Sequence, residues 1–273
     1  MDTTLQANTM HTAAAVGSLH RGVLLLKWLA TAGARGLALT EIAARARIPH
    51  STAHRVLQQL AAERLVDQHP QLRRYRLGPL VFELGMAGST LYDIRDLCAT
   101  VMDQLASASE DTAYLVMRSG FEAVCMYRRE GSFPIRALVL DVGSRRPLGV
   151  GAGGLAILAA LGDQERDAII ARTTSALSAY KGLNASSVRR ACLLTRKRGY
   201  ALIQGTINLG VTAVGQVFYS SMGQAIGALS VAALSQRMTP ARIERTAKLL
   251  RQACLHLGKQ LQASRVSDWP AIG

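Results

Sequence analysis

A chain of 273 residues, 49% hydrophobic and 18% charged, can bury two cores and is too apolar to stay disordered. Thirty-two Lys/Arg against 18 Asp/Glu give a net charge of +14, which points to a polyanionic partner, nucleic acid or an acidic membrane surface. The cysteines Cys98, Cys125, Cys192 and Cys254 form no CxxC pair, which argues against a zinc ribbon or dithiol motif and for reduced, buried thiols in the cytoplasm.

Residues 1–17 are polar, lack the basic-then-apolar order of a signal peptide, and read as a tail. Ser18 caps a predicted helix to Ala32, with Leu19, Val23, Leu26 and Ala30 on the inward face and Gly33 as its stop. Thr40 is the expected N-cap of a second, short helix that buries Ile42, Ala43 and Ala46. A third helix begins at His50–Ser51, and Ala53, Val56, Leu57 and Leu60 follow the helical apolar spacing. Two short helices joined by a tight turn, behind a longer one, form a helix-turn-helix.

His50, Ser51, Thr52, His54 and Arg55 are left outside at the start of the third helix, and no acidic residue lies between Glu41 and Glu63. Donors without carboxylates suit DNA phosphates and major-groove base edges. Two strands around the turn Asp67–Gln71, the second over 72–77 with Arg73, Arg74 and Arg76, read as a basic wing.

The segments "SLHRGVLLLKWLA", "LTEIAARARIPHSTAHRVLQQLAAERLV" and "RRYRLGP" closely resemble the IclR family of bacterial regulators. The resemblance implies that Ser51, Thr52 and Arg55 belong to a recognition helix. It also implies that the helical stretch from Pro79, over 79–94, links two domains and helps pair subunits.

Beyond a helix over 96–109, strand signals dominate. "TAYLVMRSGFEAVCMYRR" reads as a hairpin around Ser119-Gly120, and "IRALVL" (135–140) as a further strand. Helices follow near 163–172 and 186–198, then strands near 200–206, 211–219 and 225–233. A last helix over 240–263 buries Ile243, Ala247, Leu250, Cys254, Leu257 and Leu261. The 199–236 stretch has no charged residue, but glycines and amides interrupt it, so it reads as buried sheet rather than a membrane span. The expected fold is α+β: a tail (1–17), a winged helix-turn-helix (18–78), a linker helix (79–94), an effector-binding domain (95–263) and a tail (264–273). "DVGSRRPL", "KRGYAL", "NLGVTAV" and "GALSVAAL" extend the resemblance through this half, implying a GAF-like sheet.

The run Gly149–Gly154 has no Lys-Ser/Thr end for a P-loop and no acidic residue about 20 positions on for a dinucleotide fold. It reads either as an open helix N-terminus that attracts a carboxylate or as close helix–sheet packing. The resemblance implies a pocket lined by Gly151, Ala152, Ala213, Ser230 and Ala232. Several relatives carry cysteine at the position of Ala213 and serine at that of Ala232, so this pocket is expected to be less polar and to take a larger acid, such as an aromatic one.

An enzyme would need a catalytic group in the second half, whose one histidine is His256, and no Ser-His-Asp order, HExxH motif or paired metal ligand stands there. A nucleoid-type binder without a ligand is a third class. The reading is a cytoplasmic, nucleoid-associated regulator without cofactor or metal. It binds a palindromic operator in double-stranded DNA as a homodimer or homotetramer and responds to a small-molecule effector.

Overall fold

The computed structural model describes residues 17–32, 35–87, 90–220 and 222–263 and divides into two compact units, 1–87 and 88–273. The tails expected over 1–16 and 264–273, and the helix stop at Gly33, lie outside the described residues.

In the first unit, α1 (Ser18–Ala32) buries Gly22, Leu25 and Leu29, not the predicted face. Leu19 and Val23 are 81% and 44% exposed. The apolar residues of the helix spread over a broad side, interrupted by His20, Arg21 and Lys27, so spacing alone allows more than one inward face. Gly22 lies on the buried side, where Leu60 comes within ordinary contact distance, 3.5 Å, of where a Cβ would stand. The short strand β1 (Leu37–Ala38) leads into α2 (Leu39–Ala46). The helix start lies ahead of Thr40: the Glu41 carboxylate accepts the Ala38 N–H at 2.7 Å, a satisfied first-turn donor that places Thr40 inside the helix.

Arg47, at a left-handed φ of 52°, closes α2, and α3 (His50–Ala62) starts after Pro49. Ala53, Val56 and Leu57 are buried as expected. β2 (Val66–Gln68) and β3 (Arg74–Leu77) complete an antiparallel sheet ordered β1-β3-β2. Arg73, also left-handed at φ 52°, holds the turn and delays the second strand from 72 to 74. Leu25, Leu29, Ile42, Leu57, Val66 and Tyr75 share the core. The helix expected over 79–94 is α4 (Pro79–Ala87), with Phe82 and Leu84 62% and 58% exposed.

In the second unit, α5 (Thr90–Ser109) begins six residues earlier than expected. β4 (Thr112–Ser119) and β5 (Glu122–Arg129) form the predicted hairpin, and β6 (Arg145–Pro147) pairs with β5. Next come α6 (Gly151–Ala160), α7 (Asp163–Leu177) and α8 (Ala185–Arg198). The last elements are β7 (Ala201–Gln204), β8 (Val211–Tyr219), β9 (Ala225–Leu234) and α9 (Pro240–Ala263). The antiparallel sheet runs β6-β5-β4-β9-β8-β7.

Helices cover both faces. Ala113, Leu115, Leu229 and Val231 pack with α5 and α9, whereas Tyr114, Val116, Ala228 and Ala232 join α6, α7 and α8. Side chains alternate along each strand, so a central strand buried on both faces reads as an unbroken apolar run. That accounts for the uncharged stretch 199–236. The predicted inward set of α9 is buried throughout; each Leu contributes roughly 1.5–3 kcal/mol. All four cysteines are buried free thiols, and desolvation pushes Cys98, Cys125 and Cys254 up to about 12.

Residues 136–140 form no strand. Their backbone groups are met by side chains instead. The Tyr114 hydroxyl donates to the Ala137 carbonyl at 2.6 Å and accepts from the Val139 N–H at 3.0 Å. Arg146 donates to the Val139 carbonyl at 2.6 Å, and Arg128 to that of Leu140 at 3.3 Å.

Candidate nucleic-acid interface and effector pocket

The N-terminal turn of α3 presents His50, Ser51, His54 and Arg55 exposed, with Thr52 half-buried beside them. The inward Ala53, Val56 and Leu57 anchor the opposite face, so the donors stand on a rigid element. Ion pairs in this unit join Arg64 to Glu83, Arg74 to Glu41 and Arg76 to Asp67. Among the described residues Arg55 and Arg73 enter none of them.

The three wing arginines differ. Arg73 sits exposed at the tip. Arg76 donates from Nε and Nη2 to one Asp67 oxygen, at 3.0 and 2.7 Å, across an exposed pair. Such a pair is worth little, roughly 0–1 kcal/mol, and yields readily to a phosphate. Arg74, expected on DNA, is turned inward: it donates to Glu41 at 2.8 Å and to the Gly36 carbonyl at 3.0 Å. Arg74 stands opposite Ala38 of β1, within reach of Glu41 and Gly36, whereas Arg73 lies out in the turn at a left-handed φ. Arg47, in the turn between α2 and α3, is a further exposed cation that apolar periodicity could not single out.

In the second unit a cavity of about 40 Å³ lies between the sheet, α6 and the 137–140 segment, room for a few waters. Gly151, Ala152, Ala213, Ser230 and Ala232, separated by up to 81 positions in sequence, all line it. Ala213 and Ala232 are opposed in the β8–β9 register, which joins those two. Gly153 and Gly215 let α6 lie against the sheet. A Cβ on Gly153 would stand 2.6 Å from Val116 Cγ2, and one on Gly215 would meet the Ala152 carbonyl. No side chain caps α6 at Val150, so the helix start, whose residues Val150 to Gly154 line the cavity, keeps first-turn N–H groups without a side-chain acceptor. The glycine run thus serves both close packing and an open helix start.

Sequence reasoning did not place Tyr114 and Arg146 in this lining. The Arg145-Arg146 pair sits on an edge strand, and alternation sends the two guanidinium groups opposite ways. Arg145 bonds Glu122 at 2.8 Å and Ser119 Oγ at 2.9 Å. Arg146 enters the cavity, where desolvation lowers its pKa from the usual arginine range.

His256 stands exposed on α9. Among the described residues no group of three or more His, Cys, Asp or Glu is placed to hold a metal ion, and no helix is long and apolar enough to cross a membrane.

The profile of the IclR helix-turn-helix domain matches residues 18–70. That of the bacterial transcriptional regulator IclR C-terminal domain matches residues 89–258. The HTH-type transcriptional repressor AllR of Escherichia coli K12 is 26% identical over 245 residues, covering 89% of this chain and 90% of its own. AllR of Salmonella typhi is 26% identical over 249 residues, covering 89% of each. Among solved structures, an IclR regulator from Alicyclobacillus acidocaldarius superposes with a TM-score of 0.72 at 25% identity, over 89% of this chain and 98% of that one. An IclR homologue from Microbacterium hydrocarbonoxydans, complexed with 4-hydroxybenzoate, gives 0.71 at 24% identity, over 91% and 100%. With a helix-turn-helix whose donors face outward and an effector domain with a cavity between its sheet and α6, the chain belongs to the IclR family of bacterial transcriptional regulators.

Proposed function

We propose that this regulator works in the cytoplasm at the nucleoid as a homodimer or homotetramer on a palindromic operator. An organic acid with an apolar, aromatic body resets that binding. The cavity in the second unit carries the effector reading, because it unites five residues expected from separate parts of the sequence and surrounds them with Val116, Val139, Leu140 and Val150. The Microbacterium relative, complexed with 4-hydroxybenzoate, supports the same class of ligand. A ring-sized acid parts the cavity walls, and the irregular segments holding Val139, Leu140, Ile207 and Asn208 are the ones free of ladder hydrogen bonds.

On DNA, His50, Ser51, Thr52, His54 and Arg55 face the major groove, and Arg73 and Arg76 reach phosphates, while Arg74 holds the wing in shape. Exposed Leu19, Phe82 and Leu84 in the first unit support self-association, since bare large apolar side chains mark contact surfaces. Two heads on one axis then meet half-sites about 34 Å, or a multiple, apart.

Footprinting on the promoter beside the gene, with and without candidate acids, tests this. The wild type protects a palindrome, and Arg55→Ala loses it, with each lost bidentate base contact worth roughly 1–3 kcal/mol, while circular dichroism stays native. Protection retained in Arg55→Ala removes the recognition-helix assignment. Calorimetry in which only pyruvate or glyoxylate binds removes the aromatic-acid reading.

A further inference from the structure

The effector cavity holds one charged side chain. Its lining includes Arg146 and no Asp or Glu, and among the described residues the guanidinium enters no ion pair. Arg146 is half-buried and donates to the Val139 carbonyl, and a partly desolvated charge with no ion-pair partner favours an anion beside it. We infer that Arg146 is the specificity-determining residue of the pocket and that it selects monoanionic carboxylates. The inference rests on the reading of this cavity as the effector site.

Geometry supports the assignment. One Arg146 donor, on Nη2, is taken by the Val139 carbonyl. The fork has five N–H groups in a plane, and the others suit a carboxylate. Nη1 lies 3.9 Å from the point where a Cβ on Gly151 would stand, so the missing side chain leaves space between the guanidinium and the open N-terminus of α6. A carboxylate seated there meets a full cation and the helix's free N–H groups together. Arg146 loses charge stabilisation through burial, which a bound anion restores.

The rest of the lining sets the limit of one charge. The Tyr114 O–H is already donated to the Ala137 carbonyl, so it offers a second anion no donor. Ser230 Oγ and Asn208 remain as neutral polar groups, and Val116, Val139, Leu140 and Val150 are apolar. A second carboxylate has no cation to meet, whereas a hydroxyl or keto group on an apolar body does find partners.

Isothermal calorimetry on the full-length protein tests this with benzoate, 4-hydroxybenzoate and pyruvate, the matching amides, and terephthalate, against wild type, Arg146→Met and Arg146→Lys. The wild type should bind at least one monocarboxylate tenfold or more tighter than its amide, and tighter than terephthalate. Arg146→Met should weaken that acid at least tenfold and erase its advantage over the amide, and Arg146→Lys should recover part of it. Ligand-free Arg146→Met should melt somewhat lower than wild type, because the Val139 carbonyl loses its donor, so the comparison of acid with amide, not the melt, reads the ligand role. An acid bound within threefold by Arg146→Met overturns the inference and leaves the apolar-acid reading standing. Terephthalate bound as tightly as benzoate overturns the one-charge rule. An Arg146→Met that weakens the acid and its amide equally overturns the inference too, showing a wall tie rather than a ligand residue. If none of the acids binds the wild type, the apolar-acid reading falls and this inference with it.

Discussion

Replacing Gly215 by Ala should lower the stability of the effector domain by about 3 kcal/mol. A Cβ there would lie 2.6 Å from the Ala152 carbonyl carbon and 3.1 Å from the Gly153 nitrogen. The obstacle is backbone at the start of α6, which has eight buried residues and cannot rotate aside as a side chain would. Relief requires α6 to lift from β8 by roughly 1 Å, and overpacking of a dense core costs about 1–3 kcal/mol, with backbone obstacles at the upper end. At roughly 2–4 °C per kcal/mol for a unit of this size, melting should fall by about 6–12 °C. The same substitution at Gly258, within α9, meets nothing within 4 Å and should stabilise by about 0.5–1 kcal/mol, as Ala for Gly does in a helix. Thermal melts followed by far-ultraviolet circular dichroism compare the two. A Gly215→Ala melt within 1 °C of wild type, or both variants moving the same way, refutes the close-approach reasoning.

The two neighbouring wing arginines should separate cleanly. Arg73→Ala should reduce the slope of log affinity against log salt by about 0.9 with an unchanged melt. Arg74→Ala should cost about 1–2 kcal/mol of stability by stripping partners from Glu41 and the Gly36 carbonyl. Tyr114→Phe should cost about 1–3 kcal/mol and speed hydrogen exchange across 137–140, since one hydroxyl satisfies two backbone groups there; unchanged exchange would show that the segment is held otherwise. Acid should destabilise the second unit. Hydrogen bonds from Arg196 and then Arg166 hold Asp163 below its ordinary range, and Arg189 does the same for Asp167. A carboxyl lowered by folding stabilises above its unfolded pKa, near 4, and that contribution is lost as pH falls through the folded value. Melting temperature should therefore hold from pH 7 to about 5 and fall below about 4, and Asp163→Asn should flatten the fall.

Where one signal dominated, the sequence was a sound guide. The α9 face was legible because a half-buried helix leaves a single apolar stripe, and the paired strands β8 and β9 because charge vanishes where both faces are covered. The α1 face was not, since its apolar residues spread too broadly to mark one stripe. Residues 135–140 looked like a strand by composition, yet their partners are the side chains of Tyr114, Arg128 and Arg146, which no local pattern encodes. The five pocket residues came from resemblance to a family, and the cavity gathers them. Arg146 was hidden because adjacent arginines look alike until a strand turns them to opposite sides.

In β9, Ser230 and Ala232 border the cavity while Leu229 and Val231 belong to the core against α5 and α9. One strand's thickness therefore separates the cavity from the core that α9 closes with Leu250, Cys254 and Leu257. A dense interior hands on displacement instead of absorbing it. On the proposed reading, an acid pressing on Ser230 would load β9 and, behind it, α9, the helix packed on that strand's far side, so the middle of the sheet would act as a thin diaphragm under the ligand.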